Sequence, residues 1–432
     1  MKYTLPKGVF DLLPHPVLEE NPWRTSDRWF YVEEVLRQCA HDYGYREMRT
    51  PIFEKTELFL RSVGEDSDIV SKEMYTFLDK GNRSITLRPE GTVPIMRAFV
   101  ENHLDRAPGP YKYFYIAPMF RHERPQSGRY RQHHQFGVEA IGIANAYQDV
   151  EMIDMSCELL RRLGLREHRL FLNSVGDALT RVAYRQALTE YLHPHFEHLS
   201  KESQFRFQRN VLRILDSKDA EDQDLLLQAP SILDFLSEKS LSHFEEVKSL
   251  LAKESIPFIV NTRLVRGLDY YYQTVFEITS GGLGAQNSLG GGGRFDGLIA
   301  ALGGPNLPSV GFAIGLERLL QAMHYEKINP PLPLYPLLFL IPVGEKALSF
   351  CFSLTLLLRH RQLPIEIDLS GGKIQRSLRQ ANRENARFAV VIGERELESR
   401  KIEVKEMKTH LTQSISLEDL EEFVKNCRTS FP

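Results

Sequence analysis

Residues 329–336 read NPPLPLYP, four prolines in eight positions. Neither a helix interior nor a central strand tolerates such a run, because each proline removes a donor and fixes φ. The stretch predicts a linker between two folding units, 1–328 and 337–432. Past it, LLFLIPVG, a helix to about 361, PIEIDL, a helix over about 373–386, FAVVIG, KIEVKEM and a final helix follow in order. That alternation predicts a small α/β domain with a parallel-biased sheet.

The part before the linker has a different texture. In RWFYVEEVLRQCAHDY, Phe30, Val32, Val35, Leu36 and Ala40 fall roughly on one helical face, and Gly44 ends the pattern. REMRTPIFE is strand-like up to Pro51. The segments 111–121 and 134–143 are aromatic and β-favouring around the polar loop RPQSGRYR, the pattern of an antiparallel hairpin. From about 178 to 254 helix-favouring segments dominate, which predicts a helical insertion. β character then returns before GFAIGLERLLQAM, a strand running into a helix. The class is α+β.

Apolar residues make up 42% and charged residues 26%, which excludes disordered, collagen-like and coiled-coil chains. The net charge of −3 excludes bulk-charge binding of nucleic acid but not a local basic face. Four scattered cysteines form no CxxC pair, and this usage fits a reducing compartment. MKYTLPKGVFDLLP lacks the apolar core of a signal peptide, and no run approaches the ~20 apolar residues of a membrane span. A cytoplasmic protein with no membrane partner is expected.

Chemistry-bearing residues cluster in a few segments. Gly290 to Gly293 fit neither a P-loop nor GxGxxG. The run reads either as a tight turn or as backbone lying close to a flat ligand. Gln135, Gly137 and Glu139 share one strand face opposite Phe136 and Val138, either a solvated row or the floor of a polar pocket. Arg121 and Glu123 share a face at the start of the loop, which carries Arg124, Arg129 and Arg131 with Tyr130 among them, a set suited to phosphate and base contacts. LRPEGT sets Glu90 near Thr92, a pair able to hold an ammonium group or to begin a helix. Arg266 precedes Gly267, Asp269 and three tyrosines, and Arg318 falls early in a helix. Lys373, Arg376, Arg379, Arg383 and Arg387, spaced 3, 3, 4 and 4, set cations along one side of a helix, as a solvated face or a phosphate-backbone contact. His193, His195 and His198 read as surface residues, and His133 and His134 lack a spaced partner.

Together, KGVFDLLP, TPIFE, MFRHERPQSGRYRQHHQFGVEAIG, LVRGLDYY, GGGGRFDGL and GFAIGLERLL resemble the class II histidyl-tRNA synthetases over almost the whole chain. The resemblance implies an antiparallel catalytic sheet flanked by helices, a helical insertion and a C-terminal α/β anticodon-binding domain. It implies ATP-dependent activation of L-histidine to histidyl-adenylate and transfer to the 3′ end of tRNA(His), by a homodimer formed through the first class motif. By the same resemblance Arg121 and Arg266 act at the α-phosphate, and Arg266 also meets the substrate carboxylate. Arg129 and Arg318 hold the outer phosphates, and Glu123 lies near ATP and its Mg2+. Glu90, Thr92 and Gln135 bind the substrate ammonium. Glu139 and Tyr271, with Tyr270 beside it, bind the histidine ring. Gln126 reaches the tRNA acceptor end. Contact of RNA phosphates with Lys373, Arg376, Arg379 and Arg383 rests on the spacing instead. The chain departs from the family at Phe295, where Tyr is usual. A synthetase-like regulatory subunit of ATP phosphoribosyltransferase is the alternative. Such subunits typically lack the C-terminal domain and part of the arginine set, which this chain keeps.

Overall fold

The computed structural model describes residues 3–14, 21–64, 67, 69–123, 128–284, 287–331 and 336–429. The chain divides into two compact units, Met1–Pro330 and Pro331–Pro432. Strands of the first unit are β1 (Arg46–Glu47), β2 (Phe53–Lys55), β3 (Tyr75–Leu78), β4 (Ser84–Leu87), β5 (Tyr111–Phe120), β6 (Gln132–Ile141), β7 (His168–Ser174), β8 (Ile259–Val260), β9 (Tyr272–Ser280), β10 (Ser288–Arg294) and β11 (Ser309–Gly315). Eight of them form one sheet, ordered β1-β5-β6-β11-β10-β9-β7-β8. Pairing is antiparallel from β5 through β7, with short parallel strands at both edges. The hairpin is β5–β6, in register from Tyr111↔Ile141 to Phe120↔Gln132.

Alternation along β6 sends Phe136, Val138 and Ala140 into the core and Gln135, Gly137 and Glu139 to the opposite face. Helices Ser26–Asp42, Ala146–Arg162 and Leu316–Tyr325 cover the apolar face. In the first of these, Trp29, Val32, Leu36, Cys39 and Ala40 are buried, while Phe30 is 61% exposed. Val32, Leu36 and Ala40 thus keep the expected face and Val35 is half-buried, while Phe30 turns out to solvent, a step of about 100° from buried Trp29.

The glycine run is not a turn. Gly290 to Gly293 lie in β10, between β9 and β11 in mid-sheet. Glycine inside a strand marks close backbone approach. At the end of β10, Arg294 and Asp149 form a fully buried ion pair, Nη2 to Oδ2 2.6 Å. Arg294 also donates to the carbonyls of Ile143 and Asn145.

The insertion has its own core around Tyr184, Leu188, Ile214 and Leu226. Helix Glu238–Lys253 instead buries Phe244, Val247 and Leu251 in the main core. A three-stranded sheet, β2-β4-β3, carries exposed Phe53, Phe77 and Leu78.

In the second unit, β12 (Leu338–Pro342), β13 (Ile365–Ile367), β14 (Phe388–Ile392), β15 (Lys401–Glu406) and β16 (Thr412–Ser416) are ordered β13-β12-β14-β15-β16. β12 pairs in parallel with β13 and β14, and the later pairs are antiparallel. The cationic helix is Ile374–Arg383 and stops before Asn385, whose φ is 53°. Arg387 therefore leaves the stripe: it donates to Cys427 O at 2.9 Å and lies over the Phe388 ring. Lys373, at the N-cap, and Arg376, Arg379 and Arg383 remain exposed. Among the described residues no helix is long and apolar enough to cross a membrane.

Candidate active site

A cavity of about 210 Å³ opens on the polar face of the large sheet. One wall begins at helix Thr92–Glu101. Its first amides need acceptors, and the Glu90 carboxylate supplies them, taking Thr92 N and Val93 N at 2.9 Å each. Thr92 Oγ1 in turn donates to Glu139 Oε1 at 2.7 Å. Glu139 lies beneath the cavity lining, 1% exposed, and its Oε2 has no hydrogen-bond partner among the described residues. Gly311 pairs with Glu139 across β11 and β6, and a Cβ there would collide with Glu139 Oε2. Burial pushes Glu139 well above the usual carboxylate range and Glu90 up to about 7. Gly137 is not the bare patch its sequence position suggests. The Tyr115 ring from β5 covers it, and a Cβ on Gly137 would strike that ring.

Among the described residues four arginines line this cavity: Arg121, Arg129, Arg266 and Arg318. Arg121, just past β5, donates from Nε to Pro89 O at 2.8 Å and lies 3.9 Å from Glu123 Oε1. Arg129 Nε is 3.2 Å from Glu123 Oε2. Arg266, on the loop 261–271, donates from Nη1 to Glu277 Oε1 at 2.9 Å. Gly291 on β10 faces it, so that a Cβ there would come within 3.0 Å of Arg266 Nη1. Arg318 donates to Gly128 O and Ser288 O. The neighbouring Glu317 accepts from His134 N at 2.9 Å, tying the start of this helix to β6. Burial, then the guanidiniums of Arg129 and Arg121, hold Arg318 below its ordinary pKa. Glu123 and Glu277 offset these cations in part, while the lining carboxyls of Glu90 and Glu317 are turned to Thr92 N, Val93 N and His134, and the guanidinium set suits a polyanion.

Gln135, Tyr270 and Tyr271 add to the polar lining, and Phe295 packs edge-on to Tyr270 with ring centroids 5.7 Å apart. The cavity thus gathers Glu90, Thr92, Arg121, Glu123, Arg129, Gln135, Arg266, Tyr270, Tyr271 and Arg318, with Glu139 directly below Thr92. Gln126 and Arg124 lie outside the described residues. The helix stripe belongs to the second unit. His133 is a lining residue that spacing could not reveal. Burial and the charges of Arg121 and Arg318 hold its pKa well below the ordinary value. Among the described residues no group of three or more His, Cys, Asp or Glu could hold a metal ion. Glu123, beside Arg121 and Arg129, could meet an ion arriving on phosphates, since Mg2+ commonly takes one or two protein carboxylates beside substrate phosphates.

Residues 24–319 match the family model for histidyl-tRNA synthetase, and residues 338–427 match the anticodon binding domain. The chain is 53% identical to the histidine–tRNA ligase of Protochlamydia amoebophila, over 99% of this chain and 100% of that protein. It is 46% identical to the histidine–tRNA ligase of Chlamydia felis, over 98% and 97%. The crystal structure of apo S. aureus histidyl-tRNA synthetase, 38% identical, superposes with a TM-score of 0.80 over 98% of this chain and 100% of that one. With both of its units matched, the chain belongs to the histidyl-tRNA synthetase family.

Proposed function

We propose that the cavity activates L-histidine with ATP and that the enzyme then transfers the histidyl group to the 3′ end of tRNA(His). The observation that carries this reading is the meeting of four arginines, in one cavity, above a buried carboxylate with an unpartnered oxygen. A histidine carboxylate oxygen attacks the α-phosphorus, the bond from that phosphorus to the bridging oxygen breaks, and pyrophosphate leaves. Negative charge builds on the α-phosphate during attack. Arg121 and Arg266 meet it with guanidiniums already oriented by Pro89 O and Glu277. Arg129 and Arg318 hold the outer phosphates. Glu123 would hold Mg2+, which supplies charge neutralisation on the phosphates.

Glu90, Thr92 and Gln135 take the substrate ammonium. Glu139 Oε2 accepts from an imidazole N–H, and Tyr271, beside Tyr270, faces the other ring nitrogen. An amino acid without that N–H leaves a buried polar oxygen unpaired, which is the costly case. The regulatory-subunit reading is disfavoured because the full arginine set and the second unit are present.

Histidine-dependent exchange of pyrophosphate into ATP, followed by charging of tRNA(His), tests this function. Histidine binding without exchange would instead indicate a regulator. A neutral Glu90 cannot pair with an ammonium group, so binding draws on the ionised form and releases a proton. KM for histidine should therefore fall as the pH rises through about 7. Glu90→Gln should flatten that part of the profile; the same slope in the variant would remove Glu90 from the ammonium site.

Gln126 and the exposed face of Lys373, Arg376, Arg379 and Arg383 would contact tRNA. Arg376→Glu together with Arg379→Glu should raise KM for tRNA about ten-fold and lessen its salt dependence, with pyrophosphate exchange unchanged. An unaltered KM would leave the stripe a solvated face. A second copy of the chain would cover exposed Ile52, Phe53, Phe77 and Leu78, making a homodimer. The proposed reaction fits a cytoplasmic protein.

A further inference from the structure

The loop 261–271, which brings Arg266, Tyr270 and Tyr271 to the cavity, has no helix or strand of its own. Much of what holds it comes from the helical insertion. Arg213 Nη2 donates to Gly267 O at 2.6 Å and lies 3.4 Å from Asp269 Oδ1. Arg181, on helix Ala178–Leu192, donates from Nη1 to the carbonyls of Asp269 and Tyr271, 3.3 Å each. Gln223 accepts from Arg263 at 3.2 Å. Leu264 is buried in the insertion's own core, and Tyr271 packs against that core. The catalytic body adds Asn173, whose Nδ2 donates to Leu264 O and Thr262 O, and a longer bond from Asp269 N to Val63 O.

Neither Arg181 nor Arg213 lines the four-arginine cavity. Arg213 grips the carbonyl at 267 and Arg181 those at 269 and 271, immediately around the residues that do. A guanidinium acting on a transition state must be placed to within a fraction of an ångström, and an irregular loop does not hold that placement unaided. We propose that Arg181 and Arg213 are positioning residues for histidine activation. Through this two-arginine clamp the helical insertion sets where Arg266, Tyr270 and Tyr271 stand, and a displacement of the insertion is transmitted to Arg266. The inference rests on the activation reading given above.

The test is pyrophosphate exchange by the full chain carrying Arg213→Ala, Arg213→Lys or Arg181→Gln, with Arg266→Ala and the double variant Arg213→Ala/Arg266→Ala measured alongside. Thermal unfolding is recorded for each. Arg213→Ala and Arg181→Gln should lower kcat/KM for histidine by about 10- to 100-fold. KM for ATP should move less than about two-fold, because Arg121, Arg129 and Arg318 do not depend on the loop. Arg213→Lys should recover part of the loss. The double variant should lose clearly less than the product of the two single losses, since much of the clamp's effect passes through Arg266 and only the part through Tyr270 and Tyr271 remains. Should Arg213→Ala fail to fold, Arg213→Lys and Arg181→Gln carry the same comparison. Fully additive losses in the double variant, equal losses toward ATP and histidine, or unaltered rates would overturn the clamp. Absence of exchange in the unaltered protein would overturn the activation reading, and the clamp with it.

Discussion

Arg266→Ala should slow histidyl-adenylate formation by about 10³-fold, with a loss of histidine affinity nearer ten-fold. The asymmetry follows from where charge develops. In the bound substrate the carboxylate and phosphate charges are already present and shared among several donors. In the proposed reaction the α-phosphate gains charge during attack, and Arg266 would meet that gain from a site walled by β10, where Gly291 leaves room for its Nη1. Its bond to Glu277 Oε1 fixes the fork beforehand, so little reorganisation remains at the moment of reaction. Arg266→Lys should recover little, because an ammonium cannot span two acceptors as a planar guanidinium does. Single-turnover adenylate formation and equilibrium histidine binding separate the two effects. Equal losses in both would mean that Arg266 only holds substrate.

Asp149→Ala should destabilise the first unit by about 3–5 kcal/mol. Arg294 is 0% exposed, and the two Asp149 oxygens take its Nε and Nη2. Removing the carboxylate leaves a guanidinium buried with only carbonyls and Asp296 to answer it. Breaking a buried pair by deleting one partner is the costly case. Replacing both partners with apolar residues of similar volume, Asp149→Leu with Arg294→Met, should cost much less. Denaturant unfolding of the single and double variants checks this. A loss below about 1 kcal/mol for Asp149→Ala would mean that the carbonyls alone satisfy Arg294.

Pattern along the chain made β5, β6 and the parallel core of the second unit legible, because their aromatic and β-branched runs are short and bounded by proline, glycine or a polar loop, which separates a strand from a buried helix. The same local reasoning fails where a neighbour from elsewhere decides. Four glycines look like punctuation, and only the flanking strands β9 and β11 turn Gly290–Gly293 into a mid-sheet strand. Gly137 looks bare until Tyr115 folds over it. Arg387 has the spacing of the stripe, but the helix ends four residues before it and Cys427 O takes its guanidinium. His133 has no partner at a telling spacing, because its surroundings come from Arg121 and Arg318 in space. The clamp was invisible for the same reason. Arg213 and Gly267 are 54 positions apart, and Arg181 and Asp269 are 88 apart.

The most direct measurement is a crystal structure of the protein holding histidine and an ATP analogue that cannot be cleaved between the α- and β-phosphates. The expected result has Arg121 and Arg266 both within about 3 Å of α-phosphate oxygens, and an imidazole nitrogen at a similar distance from Glu139 Oε2. An α-phosphate touched by only one of the two arginines, or an imidazole ring bound away from Glu139, would contradict it.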